Sequence, residues 1–368
     1  MSEGRLRAAI IGTGRIGSAL ERDPLRTKPH THAGWYVSHP HILLSGGADT
    51  NPDRLAAFGA DWGLPPDRLF AAYPDLLATV QPDLVSICAY APERVAMARA
   101  ALQAGARGLW LEKAVATSVA SAHDLRAAAV AAGASVVVNH PRAQDPQYRA
   151  VRRIIEDGTL GPLESIHVVF SGHLIHTGTH AWDILDNWCG PWTEVRTWPD
   201  TGPMAGASSG SRPHADAAAG SDGAVSAANS TTATDIGGRV HIRFGSGVDA
   251  FVSGGRKSYF IFQFDLIFAH GRVRLGNDVN QVLVTGPSPR YSGFVELTEA
   301  SWRLDGPGGP PLVSVLADAV RAGEADLASL DAAIRALALG IATVQAGTIP
   351  GVAVTPATLD PTFVVDSV

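Results

Sequence analysis

Three clusters in this chain have residue types and spacing suited to chemistry. Gly12-Thr13-Gly14-Arg15-Ile16-Gly17 is a G-x-G-x-x-G run that follows a short apolar stretch, Leu6 to Ile11. There the first glycine permits a tight turn, the second lets the backbone approach a pyrophosphate, and the third allows a helix to pack closely on the strand. The start of that helix offers N–H donors and the positive end of its dipole to phosphates. A second apolar run, Ile42 to Ala48, ends at Asp49, whose carboxylate can accept from ribose hydroxyls. Such an acceptor favours NAD over NADP. The second cluster, Leu109-Trp110-Leu111-Glu112-Lys113-Ala114, places an acid and a lysine where a buried strand ends. A lysine emerging from apolar surroundings can be drawn toward useful acid/base behaviour. The third is Gly178-Thr179-His180-Ala181-Trp182-Asp183. With Thr179 as N-cap, His180 and Asp183 fall in the first turn of a helix, whose dipole keeps an imidazole neutral and able to accept a proton.

The elements that must position these residues follow from the pattern of apolar runs. Strands are expected at Leu6–Ile11, Ile42–Ala48, Leu84–Ala89, Gly108–Leu111 and Ser135–Asn139, with a helix at Ile16–Arg22 and alanine-rich helices such as Arg54–Phe58, Pro92–Ala104 and Ser118–Ala132 between them. Such alternation means a parallel sheet with right-handed crossovers, a Rossmann domain over residues 1–140. Residues 141–368 read as an α+β domain, with alternating runs between Arg239 and Thr285 giving a large, open, mostly antiparallel sheet and a helical region from Leu312 to Ala346. Between residues 200 and 234 large apolar side chains nearly vanish, so a flexible surface insertion is expected there. The segment Asp23 to Pro40 lengthens the gap before Asp49, and His30, His32, His39 and His41 read as a solvated loop near the cofactor.

Composition narrows the function classes. The net charge of −6 and the lack of a basic stripe interleaved with aromatics argue against a nucleic-acid partner. Cys88 and Cys189, the two cysteines, have neither metal-ligand nor disulfide-framework spacing, and no metal is expected. A polar start and the absence of a long apolar run speak for a cytoplasmic protein without a membrane partner. Trp182, Trp188, Trp192 and Trp198 read as packing before they read as a sugar platform.

GTGRIG at 12–17, GLWLEKA at 108–114 and HTGTHAWD at 176–183 together resemble the Gfo/Idh/MocA oxidoreductases. The likeness extends over nearly the whole chain outside residues 200–234. It implies an NAD(P)-dependent dehydrogenase acting on the CH–OH group of a sugar, cyclitol or polyol, with an open sheet that makes a homodimer or homotetramer. It further implies that Lys113 contacts the reacting hydroxyl, that His180 is an acid/base, and that Asp183 positions substrate or histidine. His176, Thr179 and Arg142 join the expected substrate contacts, and Ala89, Tyr90, Glu112 and Lys113 the expected cofactor contacts beside Gly12 to Ile16 and Asp49. Three positions depart from the family pattern: His176 stands where an aspartate is usual, Ala114 replaces a proline, and an arginine pair is reduced to Arg142. An NAD-dependent glycosidase and a non-catalytic dinucleotide sensor are the rival readings.

Overall fold

The computed structural model describes residues 4–200 and 232–366. The chain divides into two units, Met1–Asp145 with Gly308–Leu337, and Pro146–Pro307 with Ala338–Val368. In the first lie β1 (Leu6–Ile11), α1 (His32–Ser38), β2 (Ile42–Ala48), α2 (Pro52–Trp62), β3 (Leu69–Phe70), α3 (Tyr73–Val80), β4 (Leu84–Ile87), α4 (Ala91–Gln103), β5 (Gly108–Leu111), α5 (Val119–Ala132) and β6 (Ser135–Val138). The six strands form one parallel sheet in the order β3-β2-β1-β4-β5-β6, the doubly wound arrangement expected of a Rossmann domain. β4, β5 and β6 are buried along their length, as strands covered on both faces must be.

The sheet is as expected, but the helix after the glycine loop is not. Residues 15–18 form turns and Ala19–Arg22 a 3-10 turn in place of a helix over 16–22. The chain then leaves through residues 23–31 and returns as α1. The amides of His32 and Ala33 donate to the carbonyls of Ile16 and Gly17 at 3.1 and 3.0 Å, so α1 continues the turn begun at Gly14 with the intervening segment looped out. Glu21 ties this detour: its carboxylate accepts from the amide and hydroxyl of Thr31, each at 2.8 Å, and from the amide of His30 at 3.1 Å. Thr31 in turn caps α1 by accepting from the Gly34 amide.

The second unit runs through α6 (Pro146–Asp157), β7 (Leu163–Ser171), α7 (Thr179–Cys189), β8 (Trp192–Pro199), β9 (Thr232–Thr234), β10 (Gly238–Phe244), β11 (Asp249–Gly255), β12 (Phe262–Phe268), β13 (Gly271–Gly276), β14 (Asn280–Pro287) and β15 (Val295–Glu299). Later in the chain come α8 (Leu312–Ala322), which belongs to the first unit, α9 (Ala328–Gly347) and β16 (Val364–Asp366). Eight strands make one sheet, β15-β14-β13-β12-β7-β11-β10-β8, antiparallel throughout except where β11 pairs parallel with β7. Its buried face carries Ile166, Val168 and Phe170 of β7 with Phe262, Phe264, Leu266 and Phe268 of β12. Trp188 of α7 meets Phe264 edge-on at 5.2 Å and stacks on Tyr148 of α6 at 5.9 Å, so Trp182 and Trp188 are core residues while Trp198 is exposed.

Two boundaries differ from the sequence expectation. Unit one ends at Asp145 and also takes α8, expected in the second domain, because its apolar face, Val313, Leu316, Ala317 and Val320, packs into one core with Leu84, Trp110 and Val137. Coverage of the sheet, not nearness in sequence, decides membership. The insertion expected at 200–234 is shorter at both ends: Asp200 donates its amide to Gly237, and β9 pairs parallel with β16. The rest of it, 201–231, lies outside the described residues. Among those described, α9 is the one helix long and apolar enough to cross a membrane; 67% of its apolar window is buried within the protein, the pattern of a core helix.

Five phenylalanines, Phe251, Phe260, Phe262, Phe264 and Phe268, lie in or next to strands of this sheet. The last three are buried, whereas the pleat turns Phe251 to the other face, 46% exposed, and Phe260, before β12 begins, is 64% exposed. Phe251 stacks on His241 at 5.0 Å on the solvent side, with Trp198 at 44% exposure nearby on β8. The homodimer or homotetramer expected from the sequence would cover this face. Light scattering at micromolar concentration should return a multiple of 38.4 kDa, and a monomer mass would contradict it.

Candidate dinucleotide and proton-transfer site

The glycine loop has the geometry its sequence demands. Gly12 has φ +89°, and a Cβ there would lie 2.9 Å from the Cys88 carbonyl carbon. At Gly17 a Cβ would stand 2.1 Å from the Gly12 oxygen, so only glycine lets the turn close. At Gly14 the nearest neighbour is the flexible end of Arg54 at 3.7 Å, which leaves the backbone open to a ligand. Among the described residues the amides of Gly14, Arg15 and Ile16 donate to no protein acceptor, the donor set that a pyrophosphate takes at a helix start. Asp49, at the end of β2, accepts from the Thr13 amide at 2.8 Å and from the Asn51 amide at 2.9 Å. Its Oδ2 also accepts from the Thr13 hydroxyl at 3.2 Å, and its Oδ1 keeps a lone pair for a ribose hydroxyl. These residues fit a dinucleotide.

At the carboxyl end of β5 the chain passes from buried Leu111 and Glu112 to half-buried Lys113. Glu112, expected as a cofactor contact, is turned inward instead. Its Oε1 accepts from Nε2 of His32 at 3.2 Å and from the Asn139 amide group, and its Oε2 from the Lys113 backbone amide at 3.3 Å. Burial pushes this carboxyl up, but the neighbouring His32, Lys113 and Asn139 outweigh it and hold the group at about 2. His32 is thus a core residue, not part of a solvated loop, because α1 carries it under the sheet edge; His30, His39 and His41 are half-buried. Arg94 of α4, also buried, donates to the carbonyls of Ala89 and Ala114 and so joins the ends of β4 and β5. Burial draws its guanidinium down to about 10. Tyr90, the residue before α4, is exposed, and Arg142 lies half-buried in the 3-10 turn Pro141–Gln144.

In the second unit, α7 starts one residue earlier than the capping argument requires. Gly178, not Thr179, is its N-cap, and a Cβ there would stand 2.1 Å from the Leu174 oxygen. His180 remains in the first turn, half-buried, with Phe262 edge-on at 6.4 Å, and Asp183 and Thr179 are buried on the same helix. His176 is exposed. The turn that carries it is anchored by Asp235, a buried carboxylate that accepts from the amides of Ile175 and His176 at 2.8 and 2.7 Å. Burial raises the Asp235 carboxyl above its ordinary range. Sequence reasoning missed Asp235, Arg94 and the inward role of His32. Asp235 and His32 lie 60 and 80 residues from partners they hold, and Arg94 joins Ala89 to Ala114, 20 residues away from it, so no local spacing marks them.

Residues 6–140 match the Gfo/Idh/MocA model, an oxidoreductase family with an NAD-binding Rossmann fold. D-Apiose dehydrogenase of Paraburkholderia graminis is 29% identical over 157 residues, 43% of this chain and 38% of that protein, so the match spans well under half of the relative. Among solved structures, the WlbA dehydrogenase from Bordetella pertussis in complex with NADH and UDP-GlcNAcA aligns with TM-score 0.70 at 19% identity, covering 95% of this chain and 98% of its own. A putative NADPH-dependent oxidoreductase from Desulfitobacterium hafniense aligns with TM-score 0.73 at 16% identity, over 96% and 99% of the two chains. A 3-ketoreductase from Actinomadura kijaniata in complex with NADP aligns with TM-score 0.68 at 17% identity, over 93% and 97%. At these identities the likeness is one of fold. Glycine loop, strand order and family match agree on an NAD-binding Rossmann fold, and through residues 6–140 the chain is similar to the Gfo/Idh/MocA oxidoreductases.

Proposed function

We propose that this protein is an NAD-dependent oxidoreductase that moves a hydride between the nicotinamide and a secondary alcohol or ketone of a sugar, cyclitol or related polyol. The observation that carries the reading is Lys113, set at the carboxyl edge of β5 behind an ionised, buried Glu112, in the unit that holds the glycine loop. The carboxyl edge of an open α/β sheet is where ligands bind. The named relatives and neighbours that act on sugars or bind sugar nucleotides support the substrate class.

Bound NAD supplies the hydride acceptor. Gly12 to Ile16 hold its pyrophosphate, Asp49 the ribose hydroxyls, and Ala89, Tyr90 and Lys113 line its path along the ends of β4 and β5. Lys113 and His180 bond the reacting hydroxyl, and one of them takes its proton during oxidation; the reverse reduction uses the same pair. Asp183, Thr179, His176 and Arg142 bind the remaining hydroxyls.

Two outcomes check this. By calorimetry the protein should bind NAD more tightly than NADP, with the preference weakened in Asp49→Ala; equal or tighter binding of NADP by the unaltered protein contradicts the ribose assignment. Lys113→Ala and His180→Ala should each lower turnover roughly 10²- to 10⁴-fold with NAD affinity unchanged within a few-fold. The double replacement should be little worse than the poorer single, because groups acting as a unit are not additive. His176→Ala, at an exposed position, should cost little; near-normal turnover in both Lys113→Ala and His180→Ala sinks the proton-transfer assignment.

A further inference from the structure

We infer that His32 is a positioning residue for Lys113: carried into the core by the 23–31 detour, it pins the Glu112 carboxylate against the Lys113 amide. The functional weight of this rests on the reading above, in which Lys113 bonds the reacting hydroxyl. The geometry stands apart from it. The His32 ring is 1% exposed and lies 3.9 Å from the Trp110 ring, tilted by 34°. Its Nδ1 is 2.9 Å from the Ser86 hydroxyl, which donates to the Tyr36 hydroxyl at 2.7 Å, and its Nε2 is 3.2 Å from Glu112. The string Tyr36–Ser86–His32–Glu112–Asn139 therefore takes one member or more from α1, β4, and the ends of β5 and β6.

A histidine that merely filled core space would need no partner on each ring nitrogen. Here one nitrogen is fixed by Ser86, which aims the other at the carboxylate. With Oε1 held by His32 and Asn139, Oε2 faces the Lys113 amide. The other groups acting on Glu112 are Lys113 itself and, from α4, Arg94; Cys88, beyond β4, feels the carboxylate in turn. Arg94 is committed to the carbonyls of Ala89 and Ala114, so it cannot turn to replace the histidine bond. Loss of the His32 donor leaves burial to raise the Glu112 carboxyl, and on protonation the hold on the Lys113 amide loosens.

The chain has three lysines, Lys28, Lys113 and Lys257, so the protein labelled with ¹⁵N-lysine gives three backbone signals, of which Lys113 is assigned by its loss in Lys113→Arg. In the unaltered protein the Lys113 signal should stay in place from about pH 8 to about pH 4, since a carboxyl held far below that interval does not titrate in it. In His32→Phe, which keeps an aromatic ring beside Trp110, the Lys113 signal alone should titrate within the interval. His32→Gln, whose side-chain N–H can still reach Glu112, should move back toward the flat profile, and His32→Phe with Glu112→Gln should be flat. A flat Lys113 signal in a folded His32→Phe protein overturns the inference. Should that variant not fold, Ser86→Ala frees the other ring nitrogen and must show the same titration in smaller measure; a flat signal there overturns it equally. With a substrate in hand, kcat of His32→Phe should drop about tenfold per pH unit below the new midpoint while KM for NAD stays within twofold. The spectra need neither substrate nor NAD. A titrating Lys113 signal together with normal turnover in Lys113→Ala would therefore leave the pinning intact and sink the oxidoreductase role of Lys113 alone.

Discussion

A carboxylate buried at the end of a parallel strand has to be met by donors, and the first unit is arranged around that need at Glu112. An uncompensated buried charge costs several kcal/mol, far more than any single contact around it contributes. Three neighbours answer it directly: His32 from α1, Asn139 from the end of β6 and the amide of Lys113. His32 can reach the site because α1 stacks its first amides on Ile16 and Gly17, the same residues that close the glycine loop. The dinucleotide turn and the lysine are thus tied through one chain of hydrogen bonds and one composite helix. The detour between them, fastened by Glu21, costs little, since loop closure grows slowly with length.

The second unit solves a different problem. A sheet of eight strands has two faces, and α6 and α7 cover one. On that face large side chains interdigitate, Trp188 against Phe264 and Tyr148 among them, and α7 is held so that its first turn, with His180, is fixed from both ends. Trp182 donates its indole N–H to the Leu174 carbonyl at 2.6 Å, and Asp235 takes the amides just beyond it. The rigid turn from Leu174 to His180 is a consequence of those bonds rather than of helix propensity, because Gly178 in the middle is a poor helix former.

The parallel sheet was legible in the sequence because each buried strand is a compact apolar run and each crossover an alanine-rich helix ended by glycine, as Gly133 ends α5 in the left-handed conformation. The glycine loop, Asp49 and the Glu112–Lys113 step were legible because their chemistry is written in adjacent residues. What failed to read were long-range matters. Residues 16–22 have helical composition, yet the detour interrupts them; α8 reads as a neighbour of the second sheet, yet its apolar face matches β5 and β6. Thr179 looked like an N-cap, but Asp235 and the Leu174 carbonyl set where α7 begins. His32 looked solvated beside three other histidines, and only α1's docking on the loop reveals that it is buried. Phe251 and Phe262 share a composition but not a face, because the pleat sorts them once the register is known.

The account turns on whether this chain performs redox chemistry on a hydroxyl at all, and one measurement tests that directly. The purified protein is incubated with NAD and, in turn, a panel of polyols, cyclitols, sugars and amino-sugar derivatives, with NADH absorbance and hydrolysis products followed separately. The account predicts NADH accumulation in step with loss of one such substrate, and no cleaved glycoside. Glycoside cleavage without accumulating NADH, or tight NAD binding with no turnover of any member in either direction, would contradict it.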